Sequence, residues 1–140
     1  MLGIKRFDHV SIATRDLEGH MRLFQELFGM KLVHPVNNWG EFDGVSLWIP
    51  GGDQKLELMQ PKGEDSFVAR FMAGGGSMFH HVAFDIEDIR AAAAALQARG
   101  IEPFRMMTRG DSESGSLFIH PRDSGGVLIQ LNAGRESRDT

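Results

Sequence analysis

The stretch Phe79-His80-His81-Val82-Ala83-Phe84-Asp85-Ile86 is written a second time in this chain, as Phe7-Asp8-His9-Val10-Ser11-Ile12-Ala13-Thr14. Adding 72 to the numbers of that copy superimposes His9 on His81, Asp16 on Asp88 and Leu17 on Ile89. Behind each copy a helix-like run ends in glycine, Gly29 or Gly100. Self-similarity of this kind is the mark of a fold built from like modules. It also says where to look for chemistry. A duplicated strand with histidine at one pleat position can bring two imidazoles together across a pseudo-twofold axis, so His9 and His81 are expected to face one cleft.

At 140 residues the chain fits a single domain with a sizeable core, here made of two half-length modules. With no cysteine there is no disulfide, thiolate site or thiol nucleophile, and any metal must be held by imidazole, carboxylate, amide or water. The formal charge of -4 and the lack of a Lys/Arg-rich run argue against nucleic acid as a partner. No apolar run approaches the roughly 18 residues of a spanning helix. Met1-Leu2-Gly3-Ile4-Lys5-Arg6 has no apolar core of signal-peptide length behind it. The expectation is a soluble, cytoplasmic protein with no membrane partner.

Phe7 to Ala13 alternates as a strand does, and Asp16 reads as the N-cap of a helix from Leu17 to Phe28 with Leu17, Met21, Phe24, Leu27 and Phe28 on one stripe. Met30 to Val36 reads as a second strand, Asn37-Asn38-Trp39-Gly40 as a turn, Val45 to Ile49 as a third strand and Lys55 to Gln60 as a fourth. Between the modules, Asp65-Ser66 caps a short linker helix through Phe67, Val68, Phe71 and Met72, followed by Gly74-Gly75-Gly76. The second copy repeats the order: a strand at Phe79 to Ile86, a helix from Ile89 to Arg99, a strand near Ile101 to Met106, and a polar loop from Thr108 to Gly115. Ser116 to Ile119 then echoes Ser46 to Ile49, Val127 to Leu131 echoes Gln54 to Leu58, and the tail from Ala133 is polar. The fold class is therefore α+β, two tandem βαβββ modules (about 5–60 and 78–132, with a linker helix in about 61–76) forming a cupped, mixed, mainly antiparallel sheet around a cleft.

Paired βαβββ modules with a histidine in the first strand of each resemble the vicinal oxygen chelate superfamily, which includes glyoxalase I, extradiol dioxygenases and acyl-CoA epimerases. Phe118-Ile119-His120-Pro121-Arg122-Asp123-Ser124-Gly125-Gly126-Val127-Leu128-Ile129, Phe79-His80-His81-Val82-Ala83-Phe84 and Asp65-Ser66-Phe67-Val68-Ala69-Arg70-Phe71 look most like the methylmalonyl-CoA epimerase family. That resemblance implies a divalent metal (Zn, Co, Mn, Ni or Fe) on His9, Glu57, His81 and Gln130, the last a departure from the family's glutamate. The family's second catalytic carboxylate, on the third strand, aligns with Leu47. Both catalytic glutamates are then absent, and Glu57 is the candidate base that also binds metal.

The residues themselves weigh on these assignments. Successive strand residues face opposite ways, so His80 and His81 cannot enter one cleft together, and the repeat selects His81. Glu57 sits between Leu56 and Leu58, which turns it to the face of Lys55 and Met59; the alternation alone also fits a solvated face. Gln130 is a feeble ligand beside a carboxylate. His20, His34 and His120 need only surface or turn roles. The implied function is a metal-dependent isomerase, epimerase or lyase acting on a carbonyl or acyl-CoA-type small molecule, the metal stabilising an enolate or similar oxyanion. The alternatives are a non-catalytic binding protein of the antibiotic-resistance type and an iron-dependent dioxygenase with two histidines and one carboxylate. A homodimer is expected from the relatives.

Overall fold

The structure of the protein, a computed structural model, describes residues 1–73, 79–110 and 113–134. The chain divides into two compact units, one of residues 9–80 and one of residues 1–8 with 81–140. Each carries one copy of the repeat.

In the 9–80 unit the elements are the second half of β1 (Ile4–Ala13), α1 (Leu17–Glu26), β2 (Lys31–Leu32), β3 (Asn37–Asn38), β4 (Phe42–Trp48), β5 (Lys55–Pro61) and α2 (Phe67–Ala73). The strand order is β2-β4-β5-β1, with β3 also on β4. β1 and β5 run parallel, the other pairs antiparallel. Asp16 caps α1 by accepting the Gly19 amide at 3.0 Å. Leu17, Met21 and Phe24 then pack on Val45, Leu47, Leu56 and Leu58, each fully buried aliphatic side chain contributing about 1.5–3 kcal/mol.

The stripe stops short of its expected length. Leu27 and Phe28 are 71% and 52% exposed, because the helix closes at Glu26, the Leu27 amide bonds back to Leu23, and Gly29 at φ +68 turns the chain away. The expected strand Met30–Val36 is broken too. Only Lys31–Leu32 pairs with β4 before the bend at Val33–Pro35, where Pro35 has no amide to donate and its carbonyl meets His34 Nδ1 at 2.6 Å. Asn37 and Asn38, read as turn residues, instead pair with Gly44 and Asp43.

α2 lies on the opposite face of this sheet from α1. Ser66 caps it, its hydroxyl accepting the Val68 amide at 3.1 Å, and Val68 packs on Ala13 and Met59 with Phe42, Phe67, Phe71 and Met72 around them. The expected Gly74-Gly75-Gly76 break lies outside the described residues.

In the other unit β6 (Phe79–Ile86, from His81 on), α3 (Ile89–Gln97), β7 (Phe104–Arg109), β8 (Ser114–Ile119) and β9 (Ile129–Ala133) repeat the arrangement, in the order β6-β9-β8-β7. β6 and β9 are parallel, β8 antiparallel to both its neighbours. Asp88 accepts the amides of Arg90 and Ala91 at 2.8 and 3.0 Å, and α3 lays Ile89, Ala92, Ala93 and Leu96 on Ile86, Leu117, Ile119, Leu131 and Ala133. Gly100, at φ +79, ends this helix as Gly29 ends the first. The strand expected from Ile101 starts at Phe104, since the Ile101 amide is spent on Leu96 and Pro103 has none. It runs on to Arg109, into the expected loop, of which residues 111–112 lie outside the described part. Gly115 is obligatory where β8 meets β7: at φ +148, a Cβ there would lie 2.0 Å from the Met107 carbonyl oxygen. The last strand begins at Ile129 rather than Val127. Among the described residues no helix is long and apolar enough to cross a membrane.

Candidate metal centre

Register decides which side chains share a face. β1 sets His9 opposite Lys55 and Ser11 opposite Glu57; β4 sets Trp48 opposite Lys55 and Ser46 opposite Glu57. Since Val10, Leu56, Leu58, Val45 and Leu47 turn to α1, the other face carries three rows. They are Trp48–Lys55–His9, then Ser46–Glu57–Ser11, then Gly44–Met59–Ala13, the last closed over by α2.

The first two rows are polar and withdrawn from water. His9 is 3% and Lys55 8% exposed, and Glu57 is half-buried. A ring nitrogen of His9 and a carboxylate oxygen of Glu57 lie within 4.8 Å of each other, a separation that two ligands of one ion can share. The Ser11 hydroxyl donates to Glu57 Oε1, which holds the carboxylate in place. The Lys55 ammonium lies 5.5 Å from the centroid of the Trp48 ring, within cation–π range.

Leu47 does not belong to this face. It is fully buried against α1 and pairs with Leu56, so a carboxylate there would point into the apolar core. The residue of β4 beside Glu57 is Ser46.

In the other unit, His81 is 7% exposed with its ring edge-on to Phe118 at 5.6 Å. Phe84 and Ile86 turn to α3, so His81, Ala83 and Asp85 share the opposite face. Gln130 is paired with Ala83 and Phe118. It therefore stands on the His81 face, half-buried. The next row is Asp85–Asn132–Ser116, every member buried. Arg6 donates to Asp85 at 2.6 Å and to Asp8 at 2.9 Å. The pairing of Phe118 with Gln130 matches that of Ser46 with Glu57, so β8 echoes β4 two residues later than the Ser116–Ile119 comparison suggests.

The remaining histidines have local roles. His80 packs against Phe67 and Phe71 at 5.8 and 4.8 Å. His20 Nδ1 is 2.6 Å from Thr14 Oγ1, His34 meets the Pro35 carbonyl, and His120 Nδ1 accepts the Arg122 amide at the start of a 3-10 turn. Sequence reasoning missed Ser11, Ser46 and Lys55 as members of the site. Ser11 and Lys55 had a local signal, each standing two residues from a candidate ligand, His9 or Glu57, and hence on its pleat face.

Known proteins resemble this chain over most of its length. The chain is 33% identical over 138 residues to the ethylmalonyl-CoA/methylmalonyl-CoA epimerase of Cereibacter sphaeroides, covering 91% of this chain and 97% of that one. The crystal structure of methylmalonyl-CoA epimerase from Mycobacterium tuberculosis superimposes with a TM-score of 0.82 at 32% identity, over 95% of this chain and 90% of that one. A variant of the Streptomyces coelicolor methylmalonyl-CoA epimerase in complex with 2-nitronate-propionyl-CoA gives 0.81 at 31%, over 96% and 100%. Residues 6–131 match the Glyoxalase/Bleomycin resistance protein/Dioxygenase superfamily, and the chain belongs to that superfamily, among its members that resemble methylmalonyl-CoA epimerases.

Proposed function

We propose that this chain holds one divalent metal ion through His9, Glu57 and His81, with Gln130 contributing weakly, and acts as an isomerase or lyase on an acyl-CoA-type or related carbonyl substrate. The observation that carries the reading is the His9–Glu57 pair, two withdrawn donors on one sheet face with the carboxylate oriented by Ser11. His81 adds to it as the duplicate of His9, buried at the equivalent place in its own unit. The donors fit such an ion: two imidazoles and one carboxylate, without thiolate, suit Zn, Co, Mn, Ni or Fe.

Two neutral imidazoles and one carboxylate leave a divalent ion with a net charge of about +1. When bound, the ion supplies Lewis acidity toward a carbonyl oxygen of the substrate. The residues of the chain must do the rest. Glu57 is the carboxylate available to take or hold a proton, with Ser11 occupying one of its oxygens. Epimerisation requires a proton to leave one face of a carbon and return to the other, most simply between two flanking groups. Ser46 beside Glu57 and Gln130 near His81 are neutral and not useful bases at pH 7. Inversion at the carbon alpha to a thioester is therefore slow in this chain.

The test is deuterium incorporation with inversion at the alpha carbon of a single epimer of methylmalonyl-CoA, catalysed by the metal-loaded protein. Slow incorporation by the wild type, raised at least tenfold in Ser46→Glu with Gln130→Glu, is the expected result. Rapid incorporation by the wild type would mean that another group completes the proton transfer. Tight binding without exchange in either protein would favour the sequestering alternative.

A further inference from the structure

The row Asp85–Asn132–Ser116 lies within the unit of residues 1–8 and 81–140, one step behind Gln130. The function proposed above makes no use of it. Asn132 stands at its centre, on the strand between the other two, and is 0% exposed. The equivalent residue in the other repeat is Met59, set by the pairing with Ala13 that matches the pairing of Asn132 with Asp85. A methionine packed on Ala13 and Val68 needs no polar partner. An amide does, for it carries two N–H donors and two acceptor lone pairs, and buried polar atoms are matched in the great majority of cases. Neither Nδ2 nor Oδ1 of Asn132 has a hydrogen-bond partner among the described residues. Turning the amide over exchanges its two ends and matches neither.

The surroundings decide what can match it. Asp85 and Ser116, both buried, flank Asn132 on either side, and Arg6 donates to Asp85 and Asp8. An anion would be set against those carboxylates. A metal cation would satisfy Oδ1 and leave the amide N–H groups facing a positive charge, while Arg6 already supplies both carboxylates with a cation. Water accepts from Nδ2 and donates to Oδ1, and one N–H of a primary amide points to the same side as its oxygen, so a single molecule serves both. A buried water commonly makes about three hydrogen bonds. The flanking Asp85 and Ser116 are the polar groups placed to supply the third.

We propose that Asn132 holds an internal water molecule in the row between Asp85 and Ser116, a binding site that belongs to this repeat alone. The inference stands apart from the metal and from the substrate. The water completes a polar row across β6, β9 and β8 where the other repeat has the apolar Gly44–Met59–Ala13. Enclosed with an amide that is 0% exposed, it exchanges slowly with bulk solvent.

The experiment combines a crystal structure of the wild type, resolved well enough to place waters, with deuteron magnetic relaxation dispersion, which counts long-lived internal waters in solution. The expected result is a water within hydrogen-bond distance of both Nδ2 and Oδ1 of Asn132, and a count lower by one in Asn132→Leu. Thermal melting checks that the variant is folded, and Asn132→Met, which copies the other repeat, takes its place if it is not. A protein group bonded to the amide in place of water overturns the proposal, as does an unchanged count in a folded variant. Crystals soaked in a rubidium salt separate water from a cation: anomalous signal at the site would make the ligand a cation and overturn the proposal as well.

Discussion

The two repeats have the same strand order and the same histidine, yet their faces are chemically inverted one row apart. In the 9–80 unit the row after His9 is polar, Ser46–Glu57–Ser11, and the next is Gly44–Met59–Ala13, sealed by α2. In the other unit the row after His81 is Phe118–Gln130–Ala83, without charge, and the next is the buried Ser116–Asn132–Asp85 with Arg6 on Asp85. Duplication has preserved what the backbone needs, the capping aspartates, the helix-ending glycines and the pleat. The chemistry was free to diverge, because a side chain on the face away from the helix can change without disturbing the helix-packed core.

The largest effect that would break this comparison is a reversal of face. Leu47→Glu places a carboxylate in the α1 core, where it has no partner, and should cost more than about 4 kcal/mol, enough to abolish a cooperative denaturant transition. Ser46→Glu, one residue away on the polar face, should move the transition by less than about 1 kcal/mol. Equal sensitivity at the two positions would show that the faces are misassigned.

Next in size is Asp85→Ala. It strips a buried carboxylate from the half-buried Arg6 guanidinium, and should destabilise the chain by about 3 kcal/mol, read from the urea midpoint at constant m. The equivalent position in the other repeat is already Ala13, so the contrast tests whether the charged row belongs to one repeat alone. A midpoint within error of the wild type would mean that Arg6 is held adequately by Asp8.

A smaller effect sharpens the metal side. Ser11→Ala removes the hydroxyl that orients Glu57, and should weaken metal binding about tenfold in a chelator competition while leaving folding stability within about 1 kcal/mol. Ser11→Thr should restore most of the affinity. Unchanged affinity in Ser11→Ala would reduce that hydrogen bond to a by-product of register.

Much of this was legible before any coordinates, and the reason is locality. Asp16 and Asp88 cap from within three residues, and Glu57 declares its face by standing between two leucines. The second strand was not legible, because His34-Pro35 breaks pairing in a stretch whose apolar residues still alternate. The strand at Ile101 was placed early because its first amide is taken by the helix before it. The partners of Glu57 were out of reach for a different reason. Ser11 and Ser46 are 46 and 11 residues away in sequence, and only the register of three strands brings them alongside. The same dependence on register sets Leu47 on the core face beside Leu56, which sequence alone does not reveal.

The central claim is that the duplicated histidines hold one metal ion with Glu57. It is tested most directly by elemental analysis of wild type, His9→Ala and His81→Ala after chelator treatment, reconstitution with zinc or cobalt and gel filtration. The account predicts near one ion per chain for the wild type and loss of most of it in each single variant, with melting temperatures showing that both remain folded. A His81→Ala protein that keeps a full equivalent of metal would contradict it.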